Sequence, residues 1–178
     1  MKNSLIIILF LFCGVYSYSQ NITIDGNGTV RCPTAPVGSS EAISGKTYYV
    51  VDKAAIISIL DTGSFTVGSS TISPTDLSCV CTSQVSDMSE LFYNNPTFND
   101  DISNWDTSNV TNMYRLFAGA SAFNRSLNSW DVSNVSNMRS MFDALVNGDW
   151  VASAFDQPLD NWDVSSVENM REMFRGAT

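Results

Sequence analysis

The second half of the chain repeats itself, and this repetition limits what the chain can fold into more than any other feature. Four segments align with one another, and they begin at Asp76, Asp101, Ser126 and Pro158. The first two steps are 25 residues long and the last is 32, because seven additional residues precede the fourth copy. Periods of about 20 to 50 residues are typical of tandem arrays. One copy buries too few apolar side chains to offset its own backbone entropy, so the copies must stack.

Each copy predicts one short strand followed by one short helix. In the third copy Trp130 and Val132 lie in a run with strand character. After that run, Val135, Met138 and Phe142 recur at the i, i+3, i+7 spacing of an amphipathic helix. Serines occupy the expected N-cap positions: Ser83, Ser108, Ser133 and Ser165. The methionines of this helix face in the last three copies are Met113, Met138 and Met170. The sequence therefore predicts an α/β fold, a solenoid of short strand plus short helix repeats.

The first 19 residues have the pattern of a secretory signal peptide. Lys2 gives a positive start, an apolar run extends from Leu5 to Val15, and small residues precede Gln20. The run is too short to span a bilayer, which takes roughly 20 apolar residues. A lipid anchor on Cys13 is the alternative, disfavoured by the bulky Phe12 before it. We expect cleavage before Gln20 and no membrane insertion of the mature chain.

Residues 20–75 are expected to form a small N-terminal α+β cap module on residues 76–178, the four tandem repeats. Arrays of stacked repeats need such caps because their end faces are apolar. The predicted elements are a hairpin of Ile22–Ile24 and Thr29–Arg31, a strand over Lys46–Val51, a helix over Ala54–Leu60 and a further strand within Phe65–Ile72.

Composition excludes several classes of function. The chain has no histidine, which removes every mechanism that needs an imidazole as base or ligand. Its 18 acidic residues against 9 basic ones, with a pI near 4.2, argue against a nucleic-acid partner. A catalytic carboxylate pair is formally available, but such a pair should be unique rather than periodic. We expect no enzyme activity and no cofactor.

The repeated aspartates Asp106, Asp131 and Asp163 admit two interpretations. They could form a ladder of carboxylates for calcium, which takes oxygen ligands. Alternatively, each one accepts hydrogen bonds from the amides of the turn before its helix. The second interpretation is favoured because no dense Asp-x-Asp-x-Asp loop exists, and we expect no metal site.

The cysteines of the mature chain predict a disulfide. Cys79 and Cys81 would point to the same side of a strand, so they are poorly placed to join each other. In an exported protein we expect Cys32 to pair with one of them, preferably Cys81, which occupies the position of the repeated aspartate. The third thiol would be free or available to another chain, and a three-thiolate zinc site is the alternative.

Three of the four tryptophans recur at one position of the repeat, and Trp150 does not. Trp105, Trp130 and Trp162 could stack on sugars, but their exact period favours a place in the core. Trp150 lies in the seven-residue insertion, and insertions in arrays often form the binding face. Trp150 and its neighbour Asp149 are therefore the candidate ligand-binding residues.

The segment from Phe123 to Phe142, F-N-x-x-L-x-x-W-D-V-S-N-V-x-N-M-x-x-M-F, resembles a known bacterial repeat. This surface-protein repeat of about 25 residues occurs in the BspA-type leucine-rich repeat surface proteins. The first copy departs from it, with Val80 and Cys81 in place of Trp and Asp. The resemblance implies a leucine-rich-repeat-like solenoid in an exported protein, located at the cell surface or outside the cell.

The same resemblance implies adhesion, or binding of a host or matrix protein or glycan, through one face of the solenoid and without catalysis. A structural spacer array with no specific ligand is the alternative, and a secreted hydrolase is a distant third. The sequence ends within its fourth copy, so we expect the natural protein to be longer.

Overall fold

A computed structural model describes residues 22–74 and 76–177. The expected signal peptide, residues 1–19, lies outside the described residues. No helix within the described ranges is long and apolar enough to cross a membrane.

The N-terminal segment consists of hairpins and one helix. The antiparallel pairs are β1 (Thr23–Ile24) with β2 (Val30–Arg31), β3 (Ser40–Ile43) with β4 (Lys46–Val50), and β5 (Phe65–Val67) with β6 (Ser70–Ile72). Helix α1 (Lys53–Thr62) begins after Asp52, whose carboxylate accepts a hydrogen bond from the Ala55 amide at 2.8 Å. It ends at Gly63, which adopts a left-handed conformation that glycine tolerates at no cost.

This segment covers the first repeat. A short 3-10 helix (Leu77–Cys79) leads into β7 (Val80–Cys81), which pairs in parallel with β4. The ammonium group of Lys53 on α1 contacts Asp87 Oδ2 at 2.9 Å and donates to Ser89 Oγ at 2.8 Å. Strand β4 and helix α1 therefore occupy the place that a preceding repeat would take.

Within the described residues the repeats contain no α-helix, so the prediction of a leucine-rich-repeat-like α/β solenoid of strand plus helix units is wrong. The described residues form small β-sheets and a single α-helix, α1. Each copy consists of consecutive turns, and the copies are joined by isolated parallel bridges instead of a continuous sheet: Asp87 with Asn112, Asn112 with Asn137, and Asn137 with Asn169. We refer to the copies as layers one to four, in chain order.

Two features of the backbone explain why no helix forms. One residue in each expected helix has a positive φ of 51 to 60°, and these residues are Glu90, Arg115, Ser140 and Glu172. A left-handed residue cannot continue a right-handed helix. In addition, the amides at Met88, Glu90 and Phe92 donate to layer two at 2.9 to 3.0 Å instead of to their own segment. The same bonds recur from layer two to three and from layer three to four.

Aromatic rings continue from layer to layer through the core. One column contains Phe92, Phe117, Phe142 and Phe174, with ring centroids 5.3 to 5.4 Å apart and nearly parallel planes. A second column contains Phe98, Phe123 and Phe155. Each inner layer thus buries its apolar side chains against the layers on either side, which is why one copy could not be stable alone.

Candidate functional site: the Trp150 hairpin and the arginine–tyrosine row

Within the insertion before layer four the chain forms a hairpin. Strand β8 (Leu145–Val146) pairs antiparallel with β9 (Asp149–Trp150) around a two-residue turn. Asn147 and Gly148 both have positive φ, 55° and 93°, which a tight hairpin turn of this kind requires. We call residues 145–150 the Trp150 hairpin.

Contacts at both ends fix the Trp150 hairpin against the repeats. The Tyr93 hydroxyl of layer one donates to Asn147 Oδ1 at 3.0 Å. Buried Val146 packs so closely on Gly119 that a Cβ there would lie 2.8 Å from its Cγ2. The Trp150 indole lies against Gly176, where a Cβ would overlap the ring. The hairpin therefore reaches from layer one to layer four.

Trp150 is nevertheless the most exposed large apolar side chain among the described residues, with 65% of its surface accessible. Asp149 precedes it and is also exposed. The structure thus brings both candidate binding residues to one exposed strand. An indole that is fixed on one side and open on the other can stack on a sugar ring or insert into a protein partner.

A row of arginines and tyrosines adjoins the hairpin. The Arg115 guanidinium lies 5.4 Å from the Tyr93 ring and 5.2 Å from the Tyr114 ring. The Arg139 guanidinium lies 6.0 Å from the same Tyr114 ring. These are cation–π distances. We call these four residues the arginine–tyrosine row, and Tyr93 connects it to the Trp150 hairpin through Asn147.

Sequence reasoning missed this row. The period draws attention to positions that keep one residue type from copy to copy. Tyr114 is not at such a position, because Ser89 and Arg139 occupy the equivalent places in layers one and three. The available signal was charge: Arg115 and Arg139 are basic residues within an acidic chain, one layer apart.

Buried Asp143 supports the start of the hairpin. Its Oδ1 accepts from the Leu145 amide and from Arg175 Nε, both at 2.9 Å. Burial opposes ionisation of this carboxyl, but the hydrogen bonds from Arg175 and Leu145 outweigh it and hold its pKa below the usual value. Arg175 also pairs with Glu172 at 3.1 Å.

The three repeated aspartates, Asp106, Asp131 and Asp163, accept hydrogen bonds within backbone turns. Each accepts a hydrogen bond at 3.0 to 3.2 Å from the amide two residues later, at Ser108, Ser133 and Ser165. The sequence favours this interpretation over a calcium ladder. In the part of the chain that the structure describes, no three acidic or cysteine side chains form a group that could hold a metal.

Asp106 has additional partners at the junction with the N-terminal segment. Its Oδ1 pairs with Arg31 at 3.0 Å, and its Oδ2 accepts from Ser83 Oγ at 2.5 Å. Asp131 and Asp163 are exposed in comparison. The first of the repeated aspartates therefore also fixes the N-terminal segment to the array.

The repeated tryptophans and methionines lie in or beside the core. Trp105 and Trp130 are buried and Trp162 is half-buried. Each indole N–H donates at 2.9 to 3.1 Å to a carbonyl of the preceding layer: Leu77, Ile102 and Leu127 respectively. Met113 and Met138 are fully buried, whereas Met170 in layer four is 41% exposed.

A disulfide joins Cys32 to Cys81, which is the pairing that the sequence favours. It covalently connects the N-terminal segment to layer one. Cys79 is buried beside β7 and is not part of this bond. Because Cys32 and Cys81 are bonded to each other, they cannot act as the thiolates of a zinc site.

Comparison with known proteins identifies a family. No curated protein and no solved structure matches the chain. A family model covers residues 63–178, which is well over half of the chain and includes β5, β6 and all four layers. The chain therefore belongs to the family described as Mycoplasma protein of unknown function, DUF285.

Proposed function

We propose that this protein is an exported surface protein that binds a macromolecular ligand, a protein or a glycan, through the Trp150 hairpin and the arginine–tyrosine row. The observation that carries the proposal is the exposed indole of Trp150 on a hairpin fixed at both ends. A preorganised aromatic side chain loses little conformational entropy on binding, so more of its contact energy contributes to affinity.

Side-chain type also supports this surface. The guanidinium groups of Arg115 and Arg139 lie over the Tyr93 and Tyr114 rings. Each is also paired with a glutamate, Arg115 with Glu90 at 3.9 Å and Arg139 with Glu172 at 4.0 Å. Tryptophan, tyrosine and arginine are the residues that most often dominate binding energy at interfaces. This surface carries all three types: the two arginines lie over tyrosine rings, and the Tyr93 hydroxyl donates to Asn147 of the hairpin that carries Trp150.

Export and a place among the BspA-type surface proteins are parts of the same proposal. The amino-terminal sequence has the pattern of a signal peptide. The Trp-Asp and Asn-Met spacing of residues 123–142 and the family membership support the kinship. Adhesion is the role that we propose for the binding surface.

The test is a screen of the purified protein against immobilised glycans and extracellular-matrix proteins. We expect the wild type to bind a subset of them, and Trp150→Ala to weaken that binding by about ten-fold or more. Trp150→Phe should retain part of the affinity. Ile57→Ala is the matched control, since Ile57 on α1 is also an exposed apolar side chain.

Two results would contradict the proposal. If Trp150→Ala and Ile57→Ala bound every ligand equally well, the hairpin would not be the binding site. If the wild type bound nothing on either array, a spacer without a specific ligand would become the better account.

A further inference from the structure

A cleft of about 480 Å³ lies between the turn that joins β1 to β2 and the sides of layers three and four. Asn27 lines it from the turn, and Asn161 lines it from layer four. Layer three contributes Asn128, Ser129 and Trp130. Because Trp130 is buried, the open side chains of the cleft are three asparagines and one serine. The volume is that of a small-ligand site, and the cleft shares no residue with the Trp150 hairpin or the arginine–tyrosine row.

Hydrogen bonds fix the turn beside the array. Asp25 Oδ1 accepts from the amides of Asn27 and Thr29 at 2.9 and 3.0 Å. Arg31 joins this turn to layer two, because its guanidinium pairs with Asp25 at 3.1 Å and with Asp106 at 3.0 Å. The wall that carries Asn27 is therefore held in position before a ligand binds. A preformed site loses less conformational entropy on binding than one that the ligand must order.

The side chain of Asn161 departs from the pattern of the inner layers. At the same repeat position in layer two, Asn104 Nδ2 donates to the Ser78 carbonyl of layer one at 2.8 Å. In layer three, Ser129 Oγ donates to the Ser103 carbonyl of layer two at 2.7 Å. The Asn161 side chain makes no hydrogen bond within residues 22–74 and 76–177. The missing bond is one back to layer three, so it is unrelated to the outer face of layer four.

The other two asparagines of the cleft also have unused hydrogen-bonding groups. Asn128 Oδ1 accepts from the Asn161 backbone amide at 3.0 Å, which fixes the orientation of the Asn128 side chain. The Nδ2 donors of Asn128 have no acceptor in the part of the chain that the structure describes. The Asn27 side chain is exposed and forms no hydrogen bond with another described residue. Three side-chain amides with free donors therefore surround one cleft.

The chemistry of these groups selects the ligand. None of the five lining residues is charged, so the cleft offers no counter-charge to a phosphate, sulfate or carboxylate. Its one apolar side chain, Trp130, is buried, whereas the centre of a protein interface needs apolar surface. A carboxamide places a donor beside an acceptor, and a hydroxyl group can act as both. Adjacent hydroxyl groups of a sugar ring match this arrangement.

We propose that the cleft between the β1–β2 turn and layers three and four binds an uncharged oligosaccharide. The sugar hydroxyl groups bond to the side-chain amides of Asn27, Asn128 and Asn161. Ser129 Oγ accepts a further bond, because its own hydrogen is donated to Ser103. This second site is separate from the ligand surface at Trp150, so either proposal can fail without the other.

The test is an NMR titration of the full chain with maltotriose, cellotriose, mannotriose and chitotriose, and separately with soluble collagen peptides. We expect at least one of the four sugars to shift the side-chain amide signals of Asn27, Asn128 and Asn161 saturably. The side-chain amide signal of Asn95 in layer one, which does not line the cleft, should not move.

Variants of the lining residues test the contacts one by one. Asn27→Ala and Asn161→Ala remove side chains that make no hydrogen bond among the described residues, so both variants should fold normally. Each should weaken sugar binding by about three-fold or more, and the double variant by about ten-fold or more. Asn128→Asp keeps the acceptor for the Asn161 amide but loses the Nδ2 donors, so it should also weaken binding. Asn95→Ala is the matched control and should bind as the wild type does.

Several results would overturn the proposal. If none of the four sugars shifted the three asparagine signals, the cleft would not be a saccharide site. If the sugars shifted the Trp150 indole signal instead, glycans would bind at the hairpin and not in the cleft. A shift of the asparagine signals by collagen peptides but by no sugar would make the cleft a protein site. Equal affinities for the wild type and the Asn27→Ala, Asn161→Ala double variant would exclude the proposed contacts.

Discussion

At the scale of single residues, one left-handed position in each layer decides between helix and turn. Glu90, Arg115, Ser140 and Glu172 hold this position, and none of them is a glycine or asparagine that would mark it in the sequence. The apolar spacing that predicts a helix face is therefore correct about burial and wrong about backbone. Interlayer hydrogen bonds compensate for the cost of the left-handed conformation.

Glycine at position 119 is needed for both its backbone and its space. Its φ is 76°, and a Cβ would lie 2.8 Å from Val146 and 3.3 Å from the Asn94 Cα. We expect Gly119→Ala to lower the free energy of unfolding by about 2 kcal/mol or more. Gly26→Ala, whose Cβ would meet open space, should change it by less than about 0.5 kcal/mol. Urea denaturation of both variants measures the difference, and equal effects would contradict this account.

Asp143 should make stability depend on pH. Because hydrogen bonds with Arg175 and Leu145 hold its pKa below the usual value, its contribution is present at neutral pH and is lost as acid protonates the carboxylate. We expect the free energy of unfolding to fall below about pH 4. This loss of stability in acid should be smaller in Asp143→Asn than in the wild type. In Asp149→Asn it should be as large as in the wild type, because the exposed Asp149 carboxylate makes no ion pair among the described residues. Identical acid profiles for the wild type and Asp143→Asn would contradict this prediction.

At the scale of elements, capping residues and turn residues predict the helix and hairpins whose hydrogen bonds are local in sequence. Asp52 and Gly63 bracket α1 as helix-capping residues do, and the hairpin expected from Ile22–Ile24 and Thr29–Arg31 is the pairing of β1 with β2. The Trp150 hairpin carries an Asn147-Gly148 pair, which is a strong sequence signal for a two-residue hairpin turn. The arginine–tyrosine row could not be predicted, because it arises only when different residue types of successive layers come together.

The Cys32–Cys81 disulfide ties the N-terminal segment to layer one across 49 residues. Removing such a bond releases conformational entropy in the unfolded chain. We expect reductant to lower the free energy of unfolding by about 2 to 5 kcal/mol. The double variant Cys32→Ser, Cys81→Ser should start from the lower value and be insensitive to reductant. If reductant changed neither protein, the bond would not contribute to stability.

At the scale of the whole molecule, stacking of the repeats follows from their period, but the manner of stacking does not. Layers one to three each contribute to both phenylalanine columns and donate amides to the next layer, so stability is shared along the array. A period identifies which residues are equivalent; it does not show whether their backbone groups bond within a layer or between layers.

The layers are built from turns that bond to one another, and backbone angles measured by NMR test this arrangement most directly. Chemical shifts and couplings should give positive φ at Glu90, Arg115, Ser140 and Glu172, near the 51 to 60° of the structure. Right-handed helical φ values near about −63° through residues 110–117 would contradict the account.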